Sequence, residues 1–232
     1  MTARDNADDG QPSYASPPCY LHELDSGTSD SGGKDPMPRP DIMPRPDIMR
    51  WRKAERDRLI AARLAVSNTQ RTIWADRIAQ GLDSIIGDVK GIIVSVYWPF
   101  RGEPDLRAWM KTITGRGGAC ALPVVIEKGQ PLVFRCWKEG EPLERGVWNI
   151  PIPAAAPDVV PDVTIAPVVG FDPQCYRLGY GGGFFDRTLA SLPRKPRVFG
   201  IGYELQAIPT IHPLPHDIVM DAIVTEEGVH RA

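Results

Sequence analysis

V-T-I-A-P-V-V-G-F-D-P-Q-C-Y-R-L-G-Y-G-G-G-F-F-D-R-T-L-A-S-L, residues 163 to 192, is the stretch on which the fold turns. It opens with an apolar run of the kind buried in a parallel strand. It then passes through a turn with four glycines in five residues, Gly179 to Gly183, and closes on an amphipathic run at helical spacing. Glycine loses more backbone entropy than any other residue, so a cluster outside a linker marks a chain that takes positive φ or lies against something bulky. A strand, a glycine turn and a helix bring backbone N–H groups and the positive end of a helix dipole to one point, an anion site by geometry. Arg177 and Arg187 add side-chain charge there, and Asp186 at the helix start is a candidate to hold Mg²⁺ against phosphate oxygens. The turn has neither the G-K-[ST] of a Walker loop nor the dinucleotide fingerprint, and a plain tight connection stays open as the alternative reading.

Working outward, strands and helices alternate. M-R-W-R-K-A-E-R-D-R-L-I-A-A-R-L-A from Met49 predicts a basic helix, and Ser67 followed by Gln70 signals the cap of a second, with Ile73, Trp74, Ile78, Leu82 and Ile85 on one face. Strands are expected at 91–97, 121–126, 132–137, 163–170, 197–203 and 218–224, with helices carrying Leu106, Trp109, Met110 and Ile113 and following the glycines. The pattern predicts an α/β fold: a layered, open, largely parallel sheet flanked by helices, Rossmann-like, in a single domain over residues 49–232. Ligands of such sheets sit beyond the carboxyl ends of the strands. Residues 1–48 are rich in Asp, Ser, Pro and Gly and are expected to be a disordered tail. M-P-R-P-D-I at 37–42 recurs at 43–48, and its four prolines predict an extended spacer rather than helix.

The charge balance excludes several classes. The first 49 residues carry a net −5 and the remainder +3, far short of a nucleic-acid footprint. No run approaches the length of a membrane helix, and the acidic N-terminal segment is unlike a secretory or transit peptide. Cys19, Cys120, Cys136 and Cys175 form no C-x-x-C pair, which points to a reducing compartment, the cytoplasm.

Two further loops carry polar groups beside aromatics. Y-W-P-F-R-G-E-P-D places Tyr97, Trp98 and Phe100 next to Arg101 and Glu103, a surface for a flat heterocycle with a carboxylate to accept its N–H groups, or else an edge of the core. Asp217, in P-H-D-I-V-M-D, is placed either to complete a Mg²⁺ site with Asp186 or as an exposed turn residue. Arg52, Lys53 and Arg56 of the first helix could reach phosphates, although basic helices are commonly solvated faces.

Taken together these segments resemble the 5-formyltetrahydrofolate cyclo-ligases, also called methenyltetrahydrofolate synthetases. The resemblance is carried by the Arg-rich helix, Y-W-P-F-R-G-E-P-D-L, A-L-P-V-V, W-N-I-P-I-P, F-D-x-x-x-x-R-L-G-Y-G-G-G-F-F-D-R and H-D-x-x-x-D-x-I-V-T-E, in order over residues 50 to 226. It implies ATP- and Mg²⁺-dependent cyclisation of 5-formyltetrahydrofolate to 5,10-methenyltetrahydrofolate by a monomer. A binding or regulatory relative that has lost turnover is the alternative. By position it implies ATP on Arg52, Arg56, Arg177, Leu178, Gly179, Tyr180, Gly181, Gly182, Gly183, Phe184 and Phe185. Arg177 and Asp186 would be catalytic, Asp186 and Asp217 would hold the metal, and Trp98, Glu103 and Phe185 would meet the folate. Cys175 stands where the family usually has glycine.

Overall fold

Helix α1 (Arg45–Ala65) begins four residues before the predicted start. The computed structural model describes residues 43–154 and 156–232, so the expected disorder of residues 1–42 lies outside the described residues. Within the second M-P-R-P-D-I copy the spacer expectation is corrected: Pro46 sits in the first helical turn, where its missing N–H has no partner to lose, and Ile48 is buried. Helix α2 (Asn68–Ile86) is capped as expected, with the Ser67 hydroxyl accepting from the Gln70 N–H at 3.2 Å. Its buried stripe is Ala75, Ile78, Leu82 and Ile86; Ile73, assigned to that face, is exposed.

The remaining elements, in chain order, are β1 (Ile93–Ser95), α3 (Arg107–Gly115), β2 (Ala119–Val124), β3 (Val133–Cys136), β4 (Leu143–Arg145), β5 (Pro151–Pro153), β6 (Asp158–Val159), β7 (Val163–Pro167), β8 (Gly170–Phe171), β9 (Arg177–Leu178), α4 (Phe184–Ser191), β10 (Arg197–Ile201), β11 (Ala222–Thr225) and β12 (Gly228–His230). Eight strands form one sheet in the order β12-β11-β10-β7-β1-β2-β3-β6. The five from β11 to β2 are parallel, while β12, β3 and β6 join antiparallel at the edges. Successive residues of the parallel strands face opposite layers. Ile165, Phe199 and Val224 pack with Ile78 and Leu82 of α2 and with Trp109 and Ile113 of α3, whereas Ala166, Val198 and Ile223 pack with Leu189 of α4. Each fully buried Ile or Leu contributes about 1.5–3 kcal/mol to the fold. Helix α1 packs Leu59 and Ile60 against Val169, Leu178, Ile208 and Ile211.

This topology locates the ligand crevice. The chain steps from β1 to β2 on one side, then returns to lay β7 on the other side of β1, so the strand order switches between β1 and β7. The segments leaving the carboxyl ends of those two strands, 98–106 and 168–183, contain the two loops singled out in the sequence. The apolar run does not lead directly into the glycines: the short antiparallel pair β8–β9 intervenes. The buried Asp172 organises it, accepting from the N–H groups of Gln174 and Tyr176, each at 3.1 Å, and from that of Ile211, also at 3.1 Å.

Candidate functional site

The glycine turn ends on α4 with Gly183 in the left-handed region (φ 60°) as N-cap and no side chain capping the first turn. Gly181 is also left-handed (φ 95°), and a Cβ there would meet the Arg56 guanidinium at 3.4 Å. Two arginines flank the turn with unused donors. Arg177 is buried, gives one nitrogen to Asp186 Oδ2 at 2.9 Å and lies over the Phe185 ring, yet its Nη1 has no partner among the described residues. Arg187 donates to the Gly182 carbonyl and lies over Phe184, and its buried Nε also has no partner. Orphan buried donors cost free energy unless a ligand takes them up. With the uncapped helix end they offer donors of the kind an anion takes up.

From the other side Arg56 Nε donates to the Gly179 carbonyl at 2.6 Å. Burial and the neighbouring Arg52 lower its pKa to about 10, which leaves it charged at neutral pH. Arg52, the other arginine assigned to ATP, is turned elsewhere. It is buried, donates to the carbonyls of Ile211 (3.0 Å) and His212 (2.9 Å), and holds Asp217. Burial pushes the Asp217 carboxyl up, but hydrogen bonds from Arg52 and the Leu214 N–H outweigh it and leave the pKa below its usual value.

Mg²⁺ held largely by phosphate oxygens needs only one or two protein carboxylates. Asp186, in the first turn of α4, fits: Oδ2 faces Arg177 and Oδ1 accepts the Ile218 N–H at 3.1 Å, which leaves lone pairs on both oxygens. Asp217 is the residue before that N–H, but its carboxylate is turned to Arg52. The two acids are therefore not presented together to one ion, and among the described residues no group of three or more His, Cys, Asp or Glu is placed to hold a metal ion.

The remaining assigned residues divide plainly. Leu178 is core, packed with Leu59 and Val169, so only its main chain belongs to the turn. Phe185 packs against the α4-side core beneath Arg177, whereas Phe184 meets the exposed Trp148 edge-on at 5.7 Å. Trp98 lines a cavity of about 740 Å³ together with Glu103 and Arg71, one wall made by the T-shaped pair Trp98–Trp137 at 5.8 Å. Glu103 is buried, and Oε2 accepts the Phe100 N–H at 2.8 Å. Burial raises its pKa to about 7, against the opposing pull of Arg63, the Phe100 N–H and the Tyr180 hydroxyl.

Arg63 escaped the sequence reading. It is fully buried and donates to the carbonyls of Arg101 (3.0 Å) and Val168 (3.2 Å) and to the Tyr180 hydroxyl (2.6 Å), which in turn donates to Glu103 Oε1 at 2.9 Å. Its signal was available: Arg52, Arg56 and Arg63 recur at i, i+4 and i+11, one helix face, interleaved with Leu59 and Ile60. Cys175 also has its explanation. Its φ is 60°, a conformation natural to glycine; its thiol is buried and burial pushes the pKa up.

Among the described residues no helix is long and apolar enough to cross a membrane. A model of the 5-formyltetrahydrofolate cyclo-ligase family matches residues 48–226. The chain is 30% identical over 143 residues to the 5-formyltetrahydrofolate cyclo-ligase of Escherichia coli, covering 59% of this chain and 79% of that one. It is 29% identical over 146 residues to the enzyme of the same name from Mycolicibacterium smegmatis, covering 59% and 75%. In three dimensions it is similar to Aquifex aeolicus 5,10-methenyltetrahydrofolate synthetase, with a TM-score of 0.68 and 26% identity, covering 78% of this chain and 92% of the other.

Proposed function

The chain belongs to the 5-formyltetrahydrofolate cyclo-ligase family, and from that premise we propose that residues 49–232 convert 5-formyltetrahydrofolate and ATP to 5,10-methenyltetrahydrofolate, ADP and phosphate at the crevice between β1 and β7. The observation that carries the reading is the pair of orphan donors, Arg177 Nη1 and Arg187 Nε, on a glycine turn at an uncapped helix end.

The triphosphate lies along that turn, met by the first amides of α4, by Arg177 and Arg187, and by Arg56 from α1. Asp186 is the carboxylate placed to hold Mg²⁺, which when bound neutralises charge on the transferring phosphoryl group. The pterin enters the cavity beside Trp98, with Glu103 accepting its N–H groups. The formyl oxygen of the folate attacks the γ-phosphorus as the bond to the bridging oxygen breaks and ADP departs. Nitrogen 10 then attacks the activated formyl carbon, its proton is lost to solvent, and phosphate leaves as the ring closes. Every protein group here positions or stabilises charge, and none forms a covalent bond to substrate. Among the described residues Cys120, Cys136 and Cys175 are free, which accords with a cytoplasmic enzyme; we propose that it acts as a monomer, which sedimentation of the purified protein checks.

The test mixes protein, MgATP and 5-formyltetrahydrofolate and follows the near-ultraviolet absorbance of the methenyl product. Product formation that requires both ATP and Mg²⁺ is expected. Absorbance no higher than in a protein-free control excludes the activity and leaves a folate- or nucleotide-binding relative.

A further inference from the structure

In the reaction above Glu103 receives the pterin while Arg63 and Tyr180 have no role, yet the Arg63–Tyr180–Glu103 chain is where the two site loops meet. Tyr180 belongs to the glycine run, and by sequence it is one more nucleotide-loop residue. Its hydroxyl instead receives the Nη2 of a fully buried arginine and donates to Glu103 Oε1 at 2.9 Å, while the ring lies 6.0 Å from that of Phe100. Both oxygens of Glu103 are thereby aimed, Oε2 by an N–H of its own loop and Oε1 by the glycine loop. Arg63 has its other donors on main-chain carbonyls from both loops, Arg101 and Val168, so its hydrogen-bonded link to Glu103 runs through the hydroxyl while its charge favours the carboxylate directly. Tyr180 is 41% exposed as a residue and belongs to none of the buried core clusters, while its hydroxyl lies inward between Arg63 and Glu103; what the residue supplies here is the hydrogen-bonded link.

We propose that Tyr180 is a positioning residue for the folate: backed by Arg63, it fixes the Glu103 carboxylate so that the pterin site is complete only when the glycine loop holds its nucleotide-binding shape. The inference rests on the reaction proposed above and extends it to a coupling between the two substrate sites. Burial raises the pKa of the Tyr180 phenol, so the hydroxyl keeps the proton it donates. Without that donor Glu103 loses one of the interactions that favour its charged form.

The experiment is steady-state kinetics of Tyr180→Phe with each substrate varied in turn. The expected result is a KM for 5-formyltetrahydrofolate raised about tenfold, as for loss of a hydrogen bond to a charged group, with the KM for ATP within about twofold of wild type. The acidic limb of kcat/KM for the folate moves to higher pH. In a Glu103→Gln background, Tyr180→Phe is expected to cost nothing further. Calorimetric binding of a non-hydrolysable ATP analogue reports that the variant is folded, and Tyr180→His, which restores a ring with a donor, is expected to recover part of the lost folate affinity. A raised KM for ATP with an unchanged KM for folate overturns the inference, as does a loss that adds fully to that of Glu103→Gln. Failure of the wild type itself to form methenyl product removes the reaction and the inference together, an outcome distinct from either.

Discussion

Two arginine–aspartate pairs stand close together, the Ile218 N–H next to Asp217 in sequence reaching Asp186 at 3.1 Å, alike in composition and unlike in what they leave over. Arg52 and Asp217 are 5% and 9% exposed as side chains, and the guanidinium is held on three sides by Ile211, His212 and Asp217. Arg177 and Asp186 are 4% and 16% exposed, and that guanidinium keeps an Nη1 with no partner at the glycine turn. The first pair is complete, so its chemistry is a tie between α1 and the 211–217 segment. The second has donor and acceptor capacity to spare, which is what a phosphate and its metal need. Ion pairing alone does not separate structure from function; the unfilled valence does.

Substitution separates the two pairs. Arg52→Met leaves Asp217 buried and unpaired, and removal of one partner of such a pair costs about 3–5 kcal/mol. Urea unfolding is expected to show that loss, with kcat per folded molecule near wild type. A stable but inactive Arg52→Met would mean that Arg52 leaves Asp217 to meet ATP. Arg177→Met is expected to do the reverse, lowering kcat about 10²–10³-fold, the loss typical of one preorganised donor to developing charge, with a much smaller change in the urea midpoint. Magnesium titrations sharpen the contrast further: Asp186→Asn is expected to raise the Mg²⁺ concentration for half-maximal rate about tenfold or more, and Asp217→Asn to leave it unchanged per folded molecule. Equal shifts in both would assign Asp217 to the metal.

The folate side offers a smaller effect with a defined sign. The ordinary glutamate pKa near 4.5 is raised to about 7 at Glu103 by burial. The folded state therefore holds an extra proton between those values, and stability contributed by this group falls as pH rises from about 4.5 to 7. Glu103→Gln is expected to abolish that slope in urea midpoints measured across the same range. With Glu103 accepting the pterin N–H groups as proposed, recognition needs the carboxylate form, and kcat/KM for 5-formyltetrahydrofolate is expected to fall about tenfold per pH unit below 7. A profile flat from pH 5 to 8 would place the pterin elsewhere.

The fold was legible wherever one local rule decided. Apolar runs at Ile93 and Val163 gave buried parallel strands, Ser67 gave its cap, and the glycines gave the turn into α4. What stayed hidden depends on partners distant in sequence. β4 and β5 are three-residue strands bordered by prolines, and they are strands because they pair with each other. Arg63 reads as surface charge until Val168, 105 residues away, supplies its acceptor. Arg52 and Arg56 differ by one helical turn and look equivalent, yet only Arg56 reaches the glycine loop while Arg52 is drawn under Ile211. Pro46 misled in the other direction, because the rule against helical proline does not apply in a first turn.

The smallest expected effect tests whether backbone geometry alone explains the entrance to the glycine loop. Cys175 holds φ 60° at the β8–β9 turn, with its N–H bonded to the Asp172 carbonyl and its carbonyl accepting the Met220 N–H, each at 2.9 Å. A side chain in that region costs about 1–2 kcal/mol, whereas glycine adopts it freely. Against this, Cys175→Gly removes a buried side chain packed near Phe171 and Leu189 and adds freedom to the unfolded chain. The terms nearly cancel, so Cys175→Gly is expected to lie within about 1 kcal/mol of wild type in urea unfolding, although removing a buried side chain from a well-packed core ordinarily costs more. Cys175→Val, β-branched in a left-handed position, is expected to be the less stable of the two despite filling the space. If valine proves the better substitute, packing rather than backbone conformation holds this turn, and the order of the two midpoints decides it.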